Sequence, residues 1–248
     1  MVRITNEPLV MGVFTETCYQ TMFVDGNLFE EQCLKRSFSK LLGYALSLGS
    51  LGLKLPQILK ILKSKSVEGL SPSSFYSEEA LYVLCLMYHF IIGSPWSAFG
   101  EVISIFVQNL VLVGLLWRYA KPTIGLTSRL LVLAVFAAIA AACWYCPPSL
   151  QPLIPLANVP VIVMARVPQI LLNFKNGHTG QLAFITVCMN AFGSLSRVLT
   201  TIIEVGGDWG LVLSYSVGSS LNTFIFLQML YYWKNTENFQ KQMDKKTQ

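Results

Sequence analysis

Apolar residues dominate this chain in long runs, separated by short polar or Gly/Pro-rich breaks. A membrane-spanning helix needs about 20 mainly apolar residues. Seven stretches meet that length: 38–61, 70–92, 98–118, 127–146, 152–174, 181–204 and 209–233. Between them lie Ser94-Pro95, Lys121-Pro122, Pro147-Pro148 and Gly206-Gly207, dipeptides that end helices. The pattern predicts an all-α membrane protein of seven transmembrane helices.

Composition supports that solvent. Of the 248 residues, 53% are hydrophobic and 12% charged, against about 25% charged in a soluble domain. The net charge of +5 therefore argues for no nucleic-acid partner; what matters is where the positive charges fall. They alternate. Lys60, Lys63 and Lys65 follow the first apolar stretch, Arg118, Lys121 and Arg129 flank the gap after the third, and Lys175 follows the fifth. The tail holds Lys234, Lys241, Lys245 and Lys246. The intervening gaps carry no positive charge. Positive loops collect on the cytosolic side, so the expected topology has the N-terminus lumenal and the C-terminus cytosolic. Residues 1–37 read as a lumenal segment without the apolar core of a signal peptide.

The chain also repeats itself. Residues 54–71 (KLPQILKILKSKSVEGLS) and 166–183 (RVPQILLNFKNGHTGQLA) agree at six of eighteen positions without gaps, 112 residues apart. Four spans separate the copies, so both keep one orientation: a parallel repeat. The predicted organisation is a first three-helix repeat over 38–118, a linker helix within 119–151, a second repeat over 152–233 and a tail over 234–248. Each copy contains a Pro-Gln pair, Pro56-Gln57 and Pro168-Gln169. Proline removes one helix donor and frees a carbonyl, which in lipid must find another partner. Glutamine offers both a donor and an acceptor for such opened backbone. The pairs are therefore candidate hinges, with a static kink as the plainer reading.

Polar residues inside spans face a bundle interior and mark candidate function. Glu78 and Glu79 fall in the second stretch. Asn190 and Arg197 fall in the sixth, with Asn190 matching Glu78 under the repeat. Arg197 should meet an anion, either Glu78 or Glu79 or a ligand phosphate. Asn109 and Asn222 match one register away, at 113 residues, with interhelical hydrogen bonding as the alternative to ligand contact. Asn158 and Pro160 place a second break in the fifth stretch, expected to line the same cavity. Lys54 and Arg166 precede the prolines and are expected to snorkel to headgroups.

Cysteine and histidine usage indicates no metal site. Cys143-x-x-Cys146 lies in an apolar helix, a poor redox context. Cys18 and Cys33 lie in the segment assigned to the lumen and can pair there. His89 reads as interfacial and His178 as part of a turn. No nucleophile–base pair or Gly-rich phosphate loop is present, so no enzyme, catalytic residue or cofactor is expected.

The duplicated Pro-Gln elements and the three-one-three arrangement resemble the PQ-loop superfamily, which includes the SWEET sugar carriers, lysosomal amino-acid exporters and the ER-retrieval receptor. In SWEET carriers paired asparagines line the sugar site, a role the resemblance extends to Asn109 and Asn222. KSKSVEGLS (63–71), ANVP (157–160), NGHTGQL (176–182) and GSLSRVLTTIIEVGGD (193–208) look like the mannose-phosphate-dolichol utilisation defect family. That resemblance implies an ER membrane protein needed for lumenal use of dolichol-phosphate-mannose, and of the glucose donor, in N-glycan and GPI-anchor assembly. Lys245-Lys246 match a dilysine ER-retrieval signal read by a coat. The competing expectations are a small-solute carrier and a receptor-like binding protein.

Overall fold

The computed structural model describes residues 9–67, 70–180, 182 and 184–239. Lys245 and Lys246 lie outside the described residues. A short hairpin, β1 (Leu9–Val10) with β2 (Phe14–Thr15), leads into α1 (Glu16–Tyr19) and a π turn, Gln20–Val24. Then follow α2 (Glu31–Ser50), α3 (Leu55–Ser64), α4 (Pro72–Ile92), α5 (Trp96–Tyr119), α6 (Leu126–Trp144), a 3-10 segment (Gln151–Ala157), α7 (Asn158–Asn176), α8 (Phe184–Glu204) and α9 (Trp209–Tyr231). Six helical stretches are long and apolar enough to cross a membrane, counting α2 with α3, and the 3-10 segment with α7, as one each. The helix outside that set is α4, which carries Glu78, Glu79 and His89.

The repeat is visible in the helix boundaries. Both ends of α4 and α8 lie 112 residues apart, and so do the C-terminal ends of α3 and α7. The starts of α5 and α9 are 113 apart and their ends 112. This explains why Asn109 and Asn222 match one register away from the Pro-Gln elements.

The first stretch is not one kinked helix. Leu51–Lys54 separate α2 from α3, and Pro56 sits in the first turn of α3, where its missing N–H costs nothing. Gly49 and Gly52 flank this break and weaken helix continuation. In the second half Pro168 lies inside a continuous α7. The Asn158 break is real in another form: the 3-10 segment changes to α-helix there. Helix α2 also begins seven residues earlier than the pattern indicates, at Glu31 rather than 38.

A different glutamine closes the first break. Gln108 of α5 donates from Nε2 to Ser50 O at 2.8 Å and accepts from Lys54 N at 2.9 Å. Gln57 makes neither bond. In the second half Gln228 of α9 donates to Ile170 O (3.1 Å) and accepts from Asn173 Nδ2 (3.0 Å). Gln169 donates to Asn173 Oδ1 at 2.8 Å. In each half, then, the last helix of the repeat lends a buried amide to the backbone of the Pro-Gln helix. An orphaned backbone group in lipid would cost several kcal/mol.

Helices approach most closely where glycine replaces a side chain. A Cβ on Gly43 would collide with the Ser97 carbonyl of α5, and one on Gly210 with the Pro152 carbonyl. The N-terminal hairpin is tied down by a Tyr44 hydroxyl bond to Gly12 O (2.7 Å) and by a disulfide, Cys18–Cys33. The loop after α7 is clasped to the segment beyond α9. Thr179 N donates to Thr236 Oγ1 at 3.0 Å, Asn235 Nδ2 to Gly177 O at 3.0 Å, and the His178 ring stacks on Phe239.

Candidate functional site

The two halves are tied together near one end, the end away from the basic loops. Helix α2 packs on α8, α5 touches α8, and α4 packs on the 3-10 segment. Glu204, the last residue of α8, accepts from Ser39 Oγ at 2.8 Å and from Ser97 Oγ, with Lys40 Nζ at 3.9 Å. Tyr88 donates to Asp208 at 2.7 Å. Arg197 Nε donates to Glu101 Oε1 (2.9 Å), and Nη1 donates to Ala98 O (2.6 Å). Among the described residues, the hydrogen bonds between the halves lie in this region.

This corrects the expected partners of Arg197. It meets Glu101, not Glu78 or Glu79. Arg197 lies seven residues from the end of α8, whereas Glu78 lies at the opposite end of α4, near the basic loops. His89 is likewise not interfacial: it is fully buried, bonded to Ser94 Oγ at 2.8 Å and stacked on Phe99.

Glu78 and Glu79 belong to a cluster inside the first half. Lys54 Nζ bonds to Glu78 and, at 2.8 Å, to Asn109 Oδ1. Asn109 Nδ2 donates to Glu79 Oε2 (2.7 Å) and Phe75 O (3.0 Å). Lys54 also lies over the Tyr82 ring. Lys54 therefore does not snorkel; its charge is compensated within the protein. Asn109 serves as the internal hydrogen-bonding residue of the two roles expected for it.

The second half holds a cavity at the corresponding place. Its volume is about 240 Å³, and its polar lining comprises Arg166, Gln169, Thr186, Asn190 and Asn222. Apolar walls come from Val187 and Ile225, among others. Helices α7 and α8 both pack on α9, which floors the cleft between them. Asn222 Nδ2 makes a long bond (3.5 Å) to Asn190 O, and its buried Oδ1 has no partner. Asn158 does not line this space. Drug-sized pockets run to roughly 300–1,000 Å³, so this one suits a single small polar group. Amide and hydroxyl side chains in an otherwise apolar wall can orient a hydroxyl-bearing solute.

The structure brings Asn190 and Asn222, candidates for ligand contact in the sequence, together with Gln169, expected there as a hinge residue; the sequence did not single out Arg166 as a lining residue, Gln108 and Gln228 as backbone partners, or Glu101. An acid six residues into an apolar helix was the available signal for Glu101.

The PQ loop repeat family matches residues 38–98 and 153–209. Human solute carrier family 66 member 3 is 23% identical over 185 residues, 73% of this chain and 88% of that protein. The solved structure of a eukaryotic SWEET transporter superposes with a TM-score of 0.60 at 18% identity, covering 79% of this chain and 95% of that one. At that identity the likeness concerns the fold. The chain is thus an all-helical, multi-pass membrane protein that carries two PQ loop repeats.

Proposed function

We propose that the chain is a non-catalytic ER membrane protein that engages the sugar headgroup of dolichol-phosphate-mannose, and of the glucose donor, so that these lipids can be used in the lumen. The second-half cavity is the observation that supports this most. It sets polar side chains in an otherwise apolar wall, has room for a small polar group and lies between helices. Met164, Ile185 and Met189, adjacent in sequence to its lining, are exposed apolar residues on which a lipid chain can lie. The strings shared with the mannose-phosphate-dolichol utilisation defect family point the same way.

On this reading α4 is the seventh span, its acids and His89 turned inward, and the helices form a 3+1+3 array with α6 as linker. The hairpin and disulfide lie at the lumenal end, the basic loops are cytosolic, and Lys245-Lys246 return the protein to the ER through its coat. Deleting the gene and profiling lipid-linked oligosaccharides tests the reading. Truncated mannose intermediates with normal donor synthesis are expected; an unchanged profile refutes it.

A second reading is a small-solute carrier. Halves that, among the described residues, are hydrogen-bonded near one end have the geometry of a molecule that could rock between two openings. The likeness to a SWEET transporter fold and to a solute carrier family 66 member is consistent with it. Solute flux in proteoliposomes, together with normal glycans, would favour this reading over the first.

A further inference from the structure

The two halves handle one buried cation in opposite ways. Lys54 and Arg166 occupy equivalent positions, 112 residues apart, and each is followed two residues later by the Pro-Gln pair. Lys54 is neutralised by Glu78 and bonded to Asn109. The counterpart of Glu78 is Asn190, so the second half keeps the cation and replaces its carboxylate by a neutral amide. The counterpart of Phe75, which is buried in the first half, is the smaller Val187, and the cavity lies beside it.

Arg166 has no hydrogen bond or ion pair among the described residues, and it is half-buried. Among the described residues Lys40 is paired with Glu204, Lys54 with Glu78 and Arg197 with Glu101, and Arg129 of α6 donates to the Ile124 and Trp117 carbonyls. Arg166 lies ten residues from the end of α7. That is about 15 Å at 1.5 Å per residue, roughly half the hydrocarbon thickness. A guanidinium at that depth without a counter-charge is costly. The expectation that it snorkels does not fit a side chain that lines an internal cavity.

We propose that the α7–α8–α9 cavity is a phosphate site in which the ligand supplies to Arg166 the negative charge that Glu78 supplies to Lys54. The guanidinium fork matches a phosphate oxyanion at two points. Gln169, Asn190 and Thr186 contribute neutral donors, and the unpartnered Asn222 Oδ1 accepts from a hydroxyl on the group the phosphate carries. The ligand class is therefore a phosphate ester of a polyol, either the headgroup of a lipid or a free sugar phosphate. The inference deepens the headgroup reading above and rests on it.

The test uses the full-length protein in lipid nanodiscs and measures binding of mannose 1-phosphate, short-chain dolichyl phosphate, inorganic phosphate and uncharged mannose. Both phosphate esters are expected to bind, and Arg166→Gln should weaken them by about tenfold or more, the range for a lost charge-assisted hydrogen bond. Arg166→Lys should retain part of the affinity. Asn190→Glu recreates the first-half pairing; it should abolish phosphate binding while keeping or raising thermal stability, which separates site loss from misfolding. Binding of dolichyl phosphate without mannose 1-phosphate assigns the site to the lipid, and the reverse assigns it to the free ester; either supports the phosphate site. Unchanged affinity in both Arg166→Gln and Asn190→Glu overturns it. Mannose binding without phosphate binding also overturns it but leaves the headgroup reading standing. An unchanged lipid-linked oligosaccharide profile on gene deletion removes that reading even where phosphate binds.

Discussion

Arg197 of α8 grips Glu101 of α5 at two points, Nε to Oε1 at 2.9 Å and Nη2 to Oε2 at 2.7 Å, and so joins one repeat to the other. The arginine is 3% exposed. Removing one partner of a buried pair leaves an uncompensated charge, at a cost of roughly 3–5 kcal/mol. Glu101→Ala should therefore lower unfolding free energy on that scale in detergent denaturation. Arg197→Lys, which keeps the charge but not the fork, should lose less. Wild-type denaturation of Glu101→Ala would show that the pair does not hold the halves.

The glutamines divide by role, and the division can be measured. Gln108→Ala orphans Lys54 N, which costs about 1–3 kcal/mol when buried without a partner, and takes one of two donors from Ser50 O, which keeps Leu53 N. Gln57→Ala removes neither bond. Hydrogen exchange at the amides of Leu53 and Lys54 should rise in Gln108→Ala and stay near wild type in Gln57→Ala. The opposite ranking would return the bridging role to the Pro-Gln pair.

Two glycines should tolerate no methyl group. Gly43→Ala and Gly210→Ala force apart α2 and α5, and the 3-10 segment and α9, respectively. Overpacking of this kind costs about 1–3 kcal/mol. Gly114→Ala meets open space and serves as the control; it should match or exceed wild type in thermal stability. Equal melting temperatures for all three would contradict the close approaches.

On the proposed topology the Cys18–Cys33 bond is lumenal and the basic loops are cytosolic. In sealed ER vesicles, a glycosylation acceptor placed before Leu9 should be modified and one placed in the Lys121 loop should not. Mass spectrometry without reductant should recover the peptides of Cys18 and Cys33 linked, while Cys143 and Cys146 remain free thiols. Modification of the Lys121 loop alone would invert the topology.

Periodicity made six of the seven expected spans legible, because each depends on a local run of residues. The Pro-Gln repeat was legible because both copies kept their sequence. Helix α2 began earlier than the pattern showed because its first turns carry Glu31, Lys35 and Arg36 and the apolar run starts only after them. Lys40 with Glu204 and Arg197 with Glu101 lie far apart in the chain, and no local window contains both members of either pair. Gln108 was overlooked for a related reason: the proline draws attention to its own neighbour, while the gap it opens faces α5. Arg166 read as an interfacial cation until the first half supplied a counterpart with its carboxylate in place.

The clasp between Thr179 and Thr236 holds the segment up to Phe239 beside the loop that joins α7 to α8. Leu182 of that loop also borders the cleft, so a group fused after Phe239 starts next to it. A bulky fusion there is a doorstop rather than a neutral tag. Function scored with a C-terminal reporter would report obstruction of that mouth as well as the protein's own work, whereas a label on the N-terminal hairpin would stand at the far end.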